Sequence, residues 1–199
     1  RRTITEHKRI IFNGNNYSDE WVEEAQRRGL LNLKTTVDAL PSFIAEKNVK
    51  LFTKHKIFTV SELHSRYEIL MDAYSKKLNI EALTMIDMAR KQILPAVSSY
   101  LRDLTRSALD KKALAADLAC DWETQTVREL SDCLSALHKS LGKLETHLHK
   151  AQRLSDVTQQ GLYYKDTILR DMAAVREKAD KAESLTAAEY WPFPSYTEL

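Results

Sequence analysis

Apolar residues recur along this chain at intervals of three and four, the period of a helix face and not the alternation of a strand. The sharpest run is Val127, Leu130, Leu134, Leu137, Leu141, Leu144, Leu148 and Ala151, which forms a heptad seam. After a loop expected around residues 154–161, Ile168, Met172, Val175, Ala179 and Ala182 repeat the spacing with smaller side chains. Two such helices on a short connection predict an antiparallel, coiled-coil-like hairpin. A parallel seam with a second copy of the chain is the alternative. Upstream, Leu83, Ile86, Ala89, Ile93, Val97, Tyr100, Leu104 and Ala108 predict a long central helix kinked at Pro95. Thr59 with Glu62 three residues later has the form of a capping box, and Leu63, Tyr67, Leu70 and Tyr74 follow on one face.

The first part of the chain is more broken. Residues 1–11 are basic and read like the end of a helix, which Asn13-Gly14-Asn15-Asn16 interrupts with residues that favour turns and tolerate positive φ. Ser18 ahead of Asp19 and Glu20 predicts an N-cap and Gly29 a C-cap, so residues 19–28 read as a short helix that buries Trp21, Val22 and Ala25. Thr36 is expected to cap another, with Pro41 tolerated early in it and Leu40, Phe43 and Ile44 on its apolar face. Residues 47–58, where Val49, Leu51, Phe52, Ile57 and Phe58 alternate with basic side chains, fit helix or strand equally. The chain closes on Tyr190, Trp191, Pro192, Phe193, Pro194 and Tyr196. Prolines end the helix there, and an extended aromatic tail is expected to dock on something. The fold class is all-α: a multi-helix domain with long helices, the hairpin and the aromatic tail.

Composition supports this reading. Only 4 Gly and 4 Pro interrupt 199 residues, of which 43% are apolar and 29% charged, a balance that suits long helices. The 30 basic and 28 acidic residues leave a net charge of +2, too little for a global field that would recruit nucleic acid or an anionic membrane. Cys120 and Cys133 form no CxxC motif, which argues against a disulfide framework or structural zinc and fits a reducing, cytoplasmic setting. No apolar run approaches the roughly 20 residues of a membrane span. The opening residue, Arg1, leads to the expectation of a piece of a longer polypeptide.

Candidate chemistry is sparse. Gly14, Gly29, Gly142 and Gly161 are isolated, so no phosphate-cradling loop is visible. His147 and His149 point to different helix faces; Glu145 and His149 share one, but no second ligand pair accompanies them and a solvated face is the better account. Asp117, Asp121 and Glu123 near Cys120 sit at a helix junction, where acids complement a helix N-terminus. Lys47, Lys50, Lys54, His55 and Lys56, interleaved with Phe52 and Phe58, read as a basic rim over an apolar face, with anion reception as the sharper alternative.

The segment from Glu6 through Trp21, EHKRIIFNGNNYSDEW, resembles the late part of type III glutamine synthetases, and Arg27-Arg28-Gly29-Leu30-Leu31-Asn32-Leu33 continues the likeness. Ala45 through Phe52 (AEKNVKLF), His64 through Glu68 (HSRYE), Asn79 through Ala89 (NIEALTMIDMA) and the closing Tyr190 through Tyr196 (YWPFPSY) are similar to that family's C-terminal region. The resemblance implies a parent enzyme that joins glutamate and ammonia through γ-glutamyl phosphate, using ATP and magnesium, in active sites shared between subunits of stacked hexameric rings. The elements that carry this chemistry in the family match no residues here, so no catalytic, cofactor-binding or metal residue is assigned, and the piece is expected to be inactive alone. Residues 1–35 then read as the end of the catalytic region and residues 36–199 as a helical C-terminal domain. Asn13, Gly14, Asn15, Asn16 and Tyr17, with Trp191, Phe193 and Tyr196, are the candidate contacts with the catalytic region of the same chain or with other subunits of a homo-oligomer. A free-standing helical interaction module is the competing reading.

Overall fold

The computed structural model describes residues 1–194, and every regular element among them is helical. Two compact units, Arg1–Tyr67 and Glu68–Leu199, divide the chain; the division expected at residue 35 falls inside the first.

The first unit is built from short helices. Helix α1 (Arg2–Glu6) runs into a 3₁₀ turn at Lys8–Ile10, and α2 spans Asp19–Arg27. Gly29 stands past the end of α2 with φ of 71°, while the Leu30 amide reaches back to the Ala25 carbonyl at 2.9 Å. This is the left-handed helix stop that glycine makes without steric cost. Ala25 is buried as expected, whereas Val22 is 37% exposed. Helix α3 (Thr36–Phe43) is capped one residue earlier than the sequence pattern predicts: the Thr35 hydroxyl accepts from the Asp38 amide at 3.2 Å. Residues 47–58 resolve as helix α4 (Glu46–Lys54), so the helical option wins over strand. Phe52 and Phe58 meet Phe43 at ring-centroid distances of 5.8 and 6.4 Å, and Arg66 lies 4.8 Å over the Phe58 ring. That aromatic cluster fixes an otherwise thin core.

The Thr59 and Glu62 capping box forms in both directions, with Thr59 N–H to Glu62 at 2.7 Å and Glu62 N–H to Thr59 Oγ1 at 3.2 Å. Helix α5 (Val60–Met88) begins there. It continues through a π-helical turn at Ala89–Ile93 into α6 (Leu94–Leu114). The wide turn lies just ahead of Pro95, whose ring nitrogen has no proton to donate, and there the Leu94 amide bonds the Ala89 carbonyl five residues back. Pro95 therefore leaves the helix continuous.

In the second unit α7 (Asp121–Gln152) is followed by α8 (Val157–Tyr163), a second π turn at Tyr164–Ile168 and α9 (Leu169–Leu185). The break after α7 is shorter than expected, because Asp156 caps α8 through the Gln159 amide at 2.7 Å, and Gly161 lies buried within the helix. Gln160 Nε2 turns back to the Ala151 and Leu154 carbonyls at 3.1 and 3.3 Å, closing the end of α7. Cys133 Sγ lies against the Lys178 carbonyl, and His147 against Asp171. Residue numbers thus rise along α7 as they fall along α9, so the two helices run antiparallel.

The core of this unit is the predicted seam. Leu130, Leu137, Leu141, Leu144 and Ala151 are fully buried, and Leu148 nearly so, together with Ala82, Ala89, Val97, Ile168, Val175 and Ala182 from the flanking helices. Each buried leucine side chain contributes about 1.5–3 kcal/mol relative to exposure. Leu70 and Leu83, expected on buried faces, are instead each 47% exposed. Leu63, Tyr67 and Ile86 are buried as expected, and α5 also packs through Met71, Leu78 and Ala82.

Candidate functional site

The sequence-predicted contact residues fall in two places. In the first unit Asn15 organises a turn: its side-chain oxygen accepts from the Tyr17 amide at 3.0 Å, and its carbonyl accepts from the Ser18 hydroxyl at 2.8 Å. Ser18 consequently does not cap α2 with its side chain. Gly14 does not take a positive φ, and a Cβ there would come within 2.7 Å of the Phe12 ring, which would have to shift. Phe12 in turn packs on Trp21 with centroids 4.6 Å apart. The turn presents Tyr17 fully exposed.

In the second unit, the segment after α9 folds back. The Tyr190 hydroxyl donates to Asp103 at 2.8 Å, and its ring lies 5.1 Å from that of Tyr100. Asp103 is held below its ordinary value by Arg102 and then by Tyr190. Beyond it Trp191 and Phe193, half-buried with rings 6.2 Å apart, pack against the helical core. They border an apolar cavity of about 610 Å³. Met85, Met88, Ile93, Met172 and Val175 form its floor, with Glu81, Arg176, Asp180 and Glu183 on its margin. Tyr196 lies outside the described residues.

Charged groups within the unit join helices. Lys111 on α6 pairs with Glu123 on α7, whose side chain is 5% exposed, and this hydrogen bond pulls the Glu123 carboxyl below its ordinary value. Asp121 and Glu123 lie in the first turn of α7 as expected, and Glu123 in addition ties α7 to α6. Glu145, which shares a helix face with His149 by spacing, pairs with Arg90 at 2.6 Å. Asp171, 2% exposed on α9, accepts from His147 Nδ1 at 2.5 Å and from Lys143 at 3.2 Å. Spacing offers no sign of Asp171, because its neighbour Met172 meets the seam interval between Ile168 and Val175 with an apolar side chain, yet it is Asp171 that lies buried. A carboxylate there demands partners. Among the described residues no three His, Cys, Asp or Glu side chains converge as a metal cluster would require.

A sequence model of the glutamine synthetase C-terminal domain matches residues 1–112. The chain belongs to that family. It is also similar, along its whole length, to proteins called glutamine synthetase. One from Butyrivibrio fibrisolvens is 41% identical over 199 residues, covering 100% of this chain and 28% of that protein. A type-3 glutamine synthetase from Dictyostelium discoideum is 28% identical, with 99% of this chain and 27% of that protein covered. A glutamine synthetase from Bacteroides fragilis is 26% identical over 100% of this chain and 28% of its own length. The chain thus spans little more than a quarter of the relatives it matches. The family match ends at residue 112, in the last turn of α6, while the relatives extend across the leucine seam as well.

Proposed function

We propose that this chain is the helical C-terminal part of a type III glutamine synthetase, a parent enzyme that ligates ammonia to glutamate at the expense of ATP and magnesium, and that its own role is to brace the assembly of that enzyme. The observation that carries the reading is how the second unit uses its chemistry. Its leucine seam closes on its own helices, and its buried Glu123 and Asp171 are tied to lysine and histidine partners on neighbouring helices. Such groups fix helix register, as a brace requires. Similarity to glutamine synthetases over the full chain supplies the parent.

The apolar surface outside the core suits a contact face. Ile69, Ile80 and Leu83 are 62%, 64% and 47% exposed on α5, and Ile80 continues onto the margin of the Trp191 and Phe193 cavity. Apolar area of this kind marks surfaces that a larger body covers, here the catalytic region or a neighbouring subunit. The test is glutamate- and ammonia-dependent ATP turnover by the longer polypeptide. Turnover is expected in the intact protein and none in residues 1–199 alone. Turnover by the isolated chain would overturn the bracing role, and none by the longer polypeptide would favour a helical interaction module.

A further inference from the structure

Three of the four methionines of the chain, Met85, Met88 and Met172, line one place, the apolar cavity beside Trp191 and Phe193. An unbranched thioether side chain re-packs around different shapes, which suits it to surfaces that receive apolar molecules. At about 610 Å³ the cavity is of the size that holds a small organic ligand. Its walls all belong to the second unit: α5 with the π turn that follows it, α9, and the segment from Trp191 to Pro194. That last wall is tied down at its base, where Tyr190 bonds Asp103 at 2.8 Å and its ring lies against Tyr100. The concavity is therefore preformed.

The cavity is also elongated. Asn79 on α5 meets Tyr164 just ahead of α9, and Asp103 on α6 meets Tyr190 just after it, so residue numbers rise together along the two helical walls. The lining runs from Ile80 to Ile93 on one wall and from Met172 to Glu183 on the other, which at about 1.5 Å per residue gives a length of roughly 16–20 Å. Glu81 consequently stands toward one end and Glu183 toward the other. Among the described residues Arg176 is the one cation on the lining, and Asp180 engages it, with Nε at 3.0 and 3.2 Å from the two carboxylate oxygens. Among the same residues neither Glu81 nor Glu183 has an ion-pair partner. A carboxylate at each end of an apolar trough repels an anion and gains nothing from a neutral molecule, but it attracts a positive head. We propose that this cavity binds a small organic cation, an elongated apolar molecule that carries an ammonium or guanidinium group. Its body lies on the methionine floor and its charge meets Glu81 or Glu183. The site adds a ligand to the bracing unit and does not depend on the parent activity.

The experiment is isothermal titration of the longer polypeptide with decylammonium, 1-decanol and decanoate, each below the concentration at which it self-associates. The three probes share one ten-carbon chain and differ in the charge of the head. The unchanged protein is compared with E81Q/E183Q and E81K/E183K, two substitutions at the margin of the cavity, with circular dichroism as the check on folding. One saturable site per chain is expected for decylammonium, about fivefold or more tighter than for 1-decanol, with decanoate weakest and the preference reduced by added salt. In E81Q/E183Q the preference for the cation should vanish while 1-decanol binds as before, and in E81K/E183K decanoate should overtake decylammonium. Equal binding of 1-decanol and decylammonium to the unchanged protein would make the cavity a site for uncharged molecules and overturn the proposal. An undiminished preference for the cation in E81Q/E183Q would place the binding elsewhere on the polypeptide and overturn it too. So would the absence of saturable binding, the result expected of a cavity already covered by a neighbouring body. The titration reads neither turnover nor assembly, so its failure and the failure of the bracing role are told apart.

Discussion

The Tyr164 hydroxyl donates to the Asn79 side-chain oxygen at 3.1 Å, and Gln152 donates to that same oxygen at 3.0 Å. One amide from α5 thereby fixes the end of α7 and the π turn that follows α8. Tyr164 is 2% exposed, and burial raises its hydroxyl above the ordinary value. A tyrosine so placed needs its partner, because an unsatisfied buried hydroxyl costs about 1–3 kcal/mol. Tyr164→Phe should therefore cost about 1 kcal/mol. Asn79→Ala should cost more, and the two changes should be non-additive in urea denaturation.

The leucine seam carries the second unit. Leu141→Ala removes a fully buried side chain from the middle of α7 and should destabilise by about 2–5 kcal/mol. Leu83→Ala, on a face that is 47% exposed, should change the stability of the chain by less than about 1 kcal/mol. Denaturant midpoints of the two variants check the ordering.

Two helix stops in the first unit share a geometry and differ in chemistry. Gly29 and Lys56 both have positive φ, 71° and 54°, and each is followed by an amide that reaches back five residues, Leu30 to Ala25 and Ile57 to Phe52. Glycine enters this region freely, and lysine does so at a cost of about 1 kcal/mol. Lys56→Gly should stabilise the unit and Gly29→Ala destabilise it, each by about 1 kcal/mol, although a Cβ on Gly29 would meet no atom within 4 Å. Thermal melts of both variants decide the sign.

Acid should act through Glu123. Its hydrogen bond to Lys111 lowers its carboxyl below 4.5 in the folded chain. The stability this contributes is complete above the unfolded value and is lost as pH falls through the lower, folded one. Denaturant stability followed from pH 6 downward should fall less steeply below about pH 4.5 in Glu123→Gln than in the unchanged chain. A slope that is the same in both would show that the pair does not couple to folding.

The sequence revealed the helices well because their signals are local. The capping box at Thr59, the helix stop at Gly29 and the seam from Leu130 to Ala151 are each read from residues a few positions apart, and each recurs in the structure. The features that sequence missed depend on which neighbour a face meets. Leu70 and Leu83 fit a helical stripe by spacing, but α5 turns their neighbours Met71 and Ala82 inward. The π turn before Pro95 shifts the register of α6 relative to α5, and no residue pattern announces it. The pairing of Glu145 with Arg90, 55 positions away, and of His147 with Asp171 likewise needs the packed bundle. Asp171 was not legible, because its apolar neighbour Met172 satisfies the seam spacing.

The central claim is that this helical part braces the assembly of a glutamine synthetase. The most direct measurement is the mass of the longer polypeptide by light scattering, intact and lacking residues 68–199, with glutamate- and ammonia-dependent turnover recorded on the same samples. The account predicts that removal of the helical part dissociates the oligomer and lowers turnover with it. An oligomer of unchanged subunit number and full activity after the removal would contradict it.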